Sequence, residues 1–148
     1  MKIINSLLSL ISFSIILLFE NFLNLIISNT YISIVPFYIL LFIFSLKRFN
    51  NRNIFPIMGS GILYDIFLSE NYLGVYAIVF LLTAVSINYI YEKVIDFNFK
   101  LPFIFAFNYL IYNIPNILNP NIFSIIALSV FINYLLFILL KRVMRFRV

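Results

Sequence analysis

The chain contains no cysteine and no histidine, and these two absences exclude much of the chemistry that enzymes perform. Without cysteine a protein forms no disulfide, has no thiolate ligands for an iron–sulfur cluster and has no thiolate nucleophile. Without histidine it lacks the commonest metal ligand and the commonest general base at neutral pH. We therefore expect a protein that is not an enzyme, with no catalytic residue, no metal site and no cofactor.

Charged residues are also scarce. They make up 10% of the 148 residues, whereas an ordinary soluble domain has about 25%. Hydrophobic residues make up 64%, and the mean hydropathy is +1.11. This composition lies far from the balance of a soluble protein and predicts an integral membrane protein.

Six apolar runs, separated by charged and turn residues, predict an all-α fold that forms one domain over residues 1–148. A helix needs about 20 residues to cross about 30 Å of hydrocarbon, so most of these runs are short for a membrane span. We therefore expect a bundle of six short transmembrane helices. Their ranges are about 3–19, 31–46, 54–69, 72–91, 101–118 and 122–140.

The ten lysines and arginines predict the topology. They precede the first run or follow the second, fourth and sixth runs, and positive charge is retained on the cytoplasmic side of a membrane. We therefore expect both termini in the cytoplasm. The residues expected to set this topology and to contact anionic lipids are Lys47, Arg48, Arg52, Lys141, Arg142, Arg145 and Arg147.

Glycine occurs only three times, at Gly59, Gly61 and Gly74, and all three positions fall within one sixteen-residue stretch that also holds Asp65. Gly61 and Asp65 are four residues apart and share a helix face, whereas Gly59 lies on nearly the opposite face. A glycine surface lets a neighbouring helix approach closely. We expect Gly61 to permit such an approach beside Asp65, and Gly74 to permit it across the following turn.

Asp65 lies in an otherwise apolar run, where an acidic side chain costs about 2.5 to 3.5 kcal/mol on insertion scales. We therefore expect it to be protonated, to bond to a hydroxyl such as that of Tyr64 or Ser69, or to accept backbone N–H groups at the start of the fourth run. Three roles remain open for it. It could cap a hairpin of two packed helices, form part of a face that docks a partner, or take part in proton or substrate handling.

Other polar residues of the apolar runs are interpreted as tolerated rather than functional, because the chain is rich in asparagine throughout. This interpretation covers Asn88, Asn108, Asn113 and Asn133. Glu20 follows the first run directly, and we expect it at the membrane interface.

The order of these features resembles the MreD family of bacterial rod shape-determining proteins. Pro36 opens the second run, a basic connection follows, and then come Gly-Ser-Gly-Ile-Leu-Tyr-Asp and Leu-Gly-Val-Tyr-Ala-Ile. The family typically shows a Gly-Leu-Leu-x-Asp stretch, a short turn and Leu-Gly. The match includes Gly61, Asp65, Leu73 and Gly74, and the length, the six spans and the short connections agree over the whole chain.

The resemblance implies a non-enzymatic scaffold of the cell-elongation (rod) complex in the bacterial inner membrane. Such a protein binds MreC directly and, through the complex, MreB, RodA and a class B penicillin-binding protein, and supports cell-shape control and lateral peptidoglycan synthesis. It has no nucleic-acid partner. The structural or partner-docking motif is then formed by Gly59, Gly61, Asp65, Leu73 and Gly74.

A second family is similar in size and span count, namely the substrate-binding subunits of energy-coupling-factor vitamin transporters. These subunits dock their coupling subunit through small-residue faces that are often rich in alanine, and their outer loops close over a ligand. The first run of this chain has no alanine, and its outer connections are short. The sequence therefore favours the scaffold, with the transporter subunit as the alternative.

Overall fold

The computed structural model describes residues 2–27, 32–48, 51–69, 72–93, 99–116 and 122–143, and within them the chain is helical with no strand. The helices are α1 (Lys2–Ile27), α2 (Pro36–Arg48), α3 (Asn51–Phe67), α4 (Val75–Lys93), α5 (Lys100–Tyr112) and α6 (Ile122–Val143), with a 3-10 turn at Ile114–Asn116. Each predicted apolar run corresponds to one α-helix. The prediction of an all-α fold is therefore confirmed.

Among the residues whose side chains the structure describes, two helices are long and apolar enough to cross a membrane, judged by length and composition alone. They are the segments Ser6–Ile27 of α1 and Val75–Lys93 of α4. The apolar parts of α2 and α3, Pro36–Leu46 and Ile54–Phe67, are shorter. Two helices that could span a membrane are thus established, and six crossings remain a prediction.

The largest departure from the predicted boundaries lies between the first two helices. α1 continues to Ile27 instead of ending near residue 19, because Glu20 finds a buried hydrogen-bond partner and Asn24 a partly buried one inside the protein. α2 begins at Pro36, since proline has no N–H to leave unsatisfied in a first helical turn. Residues 32–35, which precede Pro36, are not helical, and we call them the strap.

α2 lies at the centre of the bundle. It packs against α1, α4, α5 and α6, while the remaining helices form an arc in the order α1, α3, α4, α5 and α6. Its side chains over residues 36–46 are buried or half-buried on every side, and those of Phe37, Tyr38, Leu41 and Phe42 are fully buried. The Tyr38 hydroxyl donates a hydrogen bond to the carbonyl oxygen of Phe105 on α5 at 2.6 Å. The core is therefore aromatic, and the buried Tyr38 hydroxyl has a hydrogen-bond partner.

The outward faces of α1 and α6 are almost entirely apolar. Large contiguous apolar surfaces are characteristic of protein regions that contact lipid or another protein. The exposed side chains on these two helices include Leu8, Ile11, Ile15, Phe22, Leu25, Phe131, Leu135 and Leu139.

Candidate functional site

Gly61 brings the backbones of α3 and α4 into direct contact. A Cβ atom placed on it would lie 2.5 Å from the Ala77 nitrogen and 2.8 Å from the Tyr76 carbonyl carbon, and would also touch the Ala77 Cα. Cβ atoms essentially never come within 3.0 Å of such neighbours, and backbone atoms cannot rotate away. The close approach predicted from the sequence is therefore present, and it depends on the absence of a side chain at this position.

Gly59 faces α1, on the side of α3 away from α4. A Cβ atom at this position would lie 2.7 Å from Cδ1 of Leu10, which is the flexible end of a side chain on α1. α3 is thus held between α1 and α4, with one glycine directed at each helix. A side chain added at Gly59 is therefore easier to accommodate than one added at Gly61, because a leucine methyl group can move and a helix backbone cannot.

Asp65 lies one helical turn after Gly61 and is buried, with 6% of its surface exposed. Its Oδ2 accepts the Gly74 N–H at 2.8 Å, and the Tyr76 N–H is shared between both carboxylate oxygens at 3.2 Å. The Ser69 hydroxyl donates to Oδ1 at 3.2 Å. The carboxylate therefore caps the N-terminus of α4, where backbone N–H groups have no partner inside the helix and a negative charge is favourable.

Gly74 makes this capping possible through its backbone conformation. Its φ angle is +96°, in the left-handed region that residues with a Cβ rarely adopt, although there is open space where a Cβ would be. Its carbonyl oxygen accepts the Ile78 N–H at 3.0 Å, which is the first helical hydrogen bond of α4. The expectation that Gly74 permits a close approach across the turn was therefore wrong, because glycine is required here for conformation, whereas Gly61 is required for space.

Leu73 stands apart from the other motif residues. It is 71% exposed, and its neighbour Tyr72 is also exposed. Gly59, Gly61, Asp65 and Gly74 act within the hairpin of α3 and α4 or against α1, while Leu73 is available to other molecules.

The predicted lipid-contacting residues are only partly described. Lys141 and Arg142 occupy the last turn of α6, where Lys141 is half-buried and Arg142 is exposed. The side chains of the other five lie outside the part of the chain that the structure describes, namely Lys47, Arg48, Arg52, Arg145 and Arg147.

A second buried carboxylate repeats the arrangement of Asp65. Glu20 on α1 is 6% exposed, and its Oε2 accepts the Phe37 N–H in the first turn of α2 at 2.9 Å. The Tyr112 hydroxyl donates to Oε1 at 3.1 Å. Glu20 is thus covered by the protein rather than left exposed at the end of a helix, and its depth at a membrane interface stays a prediction.

The strap is bound to α1 through one asparagine side chain. The Asn24 Nδ2 donates to the Ile34 carbonyl oxygen at 3.0 Å, and the Ile34 N–H donates to the Asn24 Oδ1 at 3.1 Å. One amide thus satisfies both backbone groups of Ile34, as a neighbouring β-strand would. Asn24 was not identified in the sequence, although its spacing of four residues from Glu20 places both on one helix face.

The strap is bound to α6 in a similar way. Asn133 is fully buried, and its Oδ1 accepts the Val35 N–H at 2.9 Å while its Nδ2 donates to the carbonyl oxygens of Ser33 and Ser129, both at 2.8 Å. The Ser33 N–H donates to the Ser129 hydroxyl at 2.9 Å. The interpretation of Asn133 as a tolerated residue was therefore wrong. The four-residue spacing of Ser129 and Asn133 was the available signal.

The other three asparagines that the sequence analysis singled out bond mainly within their own helices. They are Asn88, Asn108 and Asn113. The Nδ2 groups of Asn108 and Asn113 donate to the carbonyl oxygens four residues earlier, at 2.8 Å each. Asn88 donates to the Glu92 carboxylate at 3.2 Å. These contacts are local, in contrast to those of Asn133.

Aromatic rings connect the two carboxylate caps. The rings of Phe80 and Tyr112 stack at 5.3 Å between centroids, Phe37 lies 4.7 Å from Phe80, and Tyr76 lies 5.6 Å from Phe80. Tyr112 and Phe37 contact Glu20, and Tyr76 contacts Asp65. Both caps therefore lie at one end of the bundle, around a shared cluster of rings.

An apolar cleft of about 140 Å³ separates parts of α1 and α3. The two serine hydroxyls in its wall bond within their own helices, Ser14 to the Leu10 carbonyl oxygen at 2.9 Å and Ser60 to that of Ile57 at 2.8 Å. The cleft therefore presents hydrocarbon. Its lining residues are Ser14, Leu17, Leu18, Ser60, Leu63, Tyr64, Phe67 and Leu68.

In both caps the carboxylate acts as a hydrogen-bond acceptor. Both carboxylates are occupied by donors from the first turns of other helices, and among the described residues no group of three or more acidic side chains could hold a metal ion. In comparisons with known proteins, no family model, no curated protein and no solved structure matches this chain.

Proposed function

We propose that this protein is a non-enzymatic membrane scaffold of the MreD type, which binds MreC within the bacterial cell-elongation complex. One observation carries the proposal. The motif residues Gly61, Asp65 and Gly74, on which the sequence resemblance depends, form one contiguous unit that joins α3 to α4. A motif whose members meet in this way is a structural device, which is what a scaffold requires.

The buried carboxylates favour a scaffold over a proton or substrate pathway. Asp65 accepts two backbone N–H groups and one hydroxyl, and Glu20 accepts one of each. Acceptors engaged by helix N-termini hold helices in place. The role in hairpin capping is therefore the one that we propose for Asp65.

Six membrane crossings form part of the proposal, with both termini in the cytoplasm. α2 has 13 residues and is about 20 Å long, which is short of the hydrocarbon thickness of about 30 Å. The four strap residues add up to about 13 Å. Non-helical backbone is tolerated at membrane depth only where protein groups satisfy it, and Asn24 and Asn133 supply such groups to the strap. The strap and α2 together are therefore long enough for one crossing.

We propose Leu73 as a contact for MreC, because it belongs to the motif and yet is exposed beside the Asp65 cap. Ile114 offers a matched control, since it is an exposed apolar residue in a different connection. In bacterial membranes, Leu73→Ser should lower the amount of MreC that crosslinks to and co-purifies with the tagged protein. Ile114→Ser should leave that amount unchanged.

The same experiment distinguishes the proposal from its alternatives. Recovery of MreC and wall synthases supports the scaffold, whereas recovery of ATPase and coupling subunits would identify a vitamin transporter subunit. Undiminished MreC recovery with Leu73→Ser, at normal protein level, would exclude Leu73 as a contact. Recovery that also survives Asp65→Ala and Gly61→Leu would exclude docking by the whole motif.

A further inference from the structure

The apolar cleft between α1 and α3 is a slot that follows the two helices. The residues of its α3 wall repeat every three or four positions, so they lie on one helix face over about 12 Å. They are Ser60, Leu63, Tyr64, Phe67 and Leu68, and Ser14, Leu17 and Leu18 form the facing wall on α1. The volume of about 140 Å³ is small for this length, so the cleft is long and narrow.

The cleft is closed towards the core and open towards the outside. Leu17 and Ser60 are buried at its floor, whereas Leu18 and Phe67 are more than half exposed at its mouth. The cleft begins beyond the contact between Leu10 and Gly59, where the small serine side chains leave space between the helices. Its mouth therefore opens on the outward surface of α1 and α3, which contacts lipid in the proposed membrane location.

The lining of the cleft selects a hydrocarbon ligand. The hydroxyls of Ser14 and Ser60 donate to carbonyl oxygens of their own helices, and the other lining side chains present leucine and aromatic surface. A bound water needs two to four polar partners, and apolar cavities of about 150 Å³ stay dry and take up benzene. The cleft is of that size and character, so its ligand is apolar.

The dimensions of the cleft distinguish a lipid chain from a protein segment. An α-helix with its side chains is about 10 to 12 Å across, so a 12 Å length of helix occupies on the order of 1,000 Å³. A helix of a partner or of a second copy therefore does not enter a cleft of about 140 Å³. A chain of single methylene groups does, and a benzene-sized space holds about six of its carbon atoms.

We infer that the cleft binds one acyl chain of a membrane lipid, which enters between Leu18 and Phe67 and lies against Leu17 and Ser60. The chain completes the packing between α1 and α3 that the small serines leave open, since a void deprives its lining of dispersion contacts. The inference rests on the proposed membrane location and not on the proposed partner MreC.

The experiment uses the full chain, reconstituted as a single copy in phosphatidylcholine nanodiscs. Part of the lipid carries a photoreactive diazirine on its acyl chain, and mass spectrometry locates the adducts after illumination. Three leucines are compared, so that side-chain reactivity is the same. Leu17 lies at the floor of the cleft, Leu41 is a fully buried leucine of α2 outside the cleft wall, and Leu139 is exposed on α6.

Two variants make the same chemical change at different positions of α1. Ser14→Leu places a larger side chain in the cleft. Ser12→Leu is the matched control, because Ser12 is exposed outside the cleft and its hydroxyl makes the same local bond, to the Leu8 carbonyl oxygen at 2.9 Å.

We expect labelling at Leu17 to be several times that at Leu41 in the parent protein, with strong labelling at Leu139. Ser14→Leu should lower the Leu17 signal to that of Leu41, because the new side chain fills the slot. Ser12→Leu should leave the Leu17 signal unchanged. Labelling at Leu139 should be the same in all three proteins.

The comparison within the parent protein does not require a variant to fold. Labelling at Leu17 no higher than at Leu41, with Leu139 labelled, would overturn the inference and leave the membrane location standing. If Leu139 were unlabelled as well, the membrane location would fail too. A Leu17 signal that Ser14→Leu leaves unchanged would also overturn the inference. Loss of that signal in nanodiscs with two copies would assign the cleft to a second copy instead.

Discussion

Replacement of Asp65 by alanine tests whether the buried carboxylate holds α3 and α4 together. The change removes the acceptor for the N–H groups of Gly74 and Tyr76, and for the Ser69 hydroxyl. A buried donor left without a partner costs about 1 to 3 kcal/mol, and loss of an N-cap costs about 0.5 to 2 kcal/mol. Because Gly74 lies at a turn that water can reach, we expect a total loss of about 3 kcal/mol in the free energy of unfolding.

Two further variants serve as comparisons. One removes the charge of Asp65 and keeps its shape, and the other removes an acid elsewhere on α4. Asp65→Asn retains one acceptor oxygen and loses the favourable interaction between charge and helix dipole, which is about 0.3 to 1 kcal/mol, so we expect a loss of about 1 kcal/mol. Glu92 is an exposed acid near the other end of α4, and Glu92→Ala should change stability by no more than about 0.5 kcal/mol.

The assay is unfolding of the purified protein in mixed micelles by titration with a denaturing detergent, followed by circular dichroism. The reasoning requires the order Asp65→Ala, Asp65→Asn, Glu92→Ala from largest to smallest loss. A loss below about 1 kcal/mol for Asp65→Ala would refute it, since the cap would then contribute no more than an ordinary surface hydrogen bond.

Two more stability predictions use the same assay. Gly61→Ala should destabilise the protein by about 1 to 3 kcal/mol, since the new methyl group meets backbone, whereas Gly59→Ala should be nearly neutral because a flexible side chain can move and alanine favours the helix. Equal effects at the two glycines would contradict this difference. Asn133→Leu should cost about 2 kcal/mol or more through the strap groups that it leaves unpaired, while Asn113→Leu, which loses one local bond, should cost less than half as much. If the two asparagine variants lose similar stability, Asn133 does not hold the strap.

Much of the hairpin between α3 and α4 was predictable from the sequence. Gly61 and Asp65 are four residues apart, and Gly74 follows within the same short stretch, so their joint role depended on local spacing. The sequence left open whether Asp65 bonds to a hydroxyl or to backbone N–H groups, and the fold uses both kinds of donor. Nothing in the sequence except the glycine itself indicated the left-handed backbone conformation at Gly74.

The strap and its partners were not predictable in the same way. Asn133 bonds to residues 98 and 100 positions earlier in the chain, and Tyr112 bonds to Glu20 across 92 positions. In a chain with many asparagines, composition does not reveal which one is buried beside unpaired backbone. The boundary of α1 was misplaced for the same reason, because a glutamate ends an apolar run unless tertiary partners cover it.

By itself, the sequence determined the helical class, the six helical segments and the position of the glycine cluster, because composition, apolar periodicity and the lack of a Cβ act locally. Only the tertiary structure decided that α2 is the central helix, that Glu20 and Asp65 each cap the helix that follows them, and that Asn24 and Asn133 hold a non-helical strap. These features depend on which unpaired backbone groups meet which side chains after the helices pack. A buried backbone N–H must find an acceptor, and the bundle geometry selects which side chain is within reach.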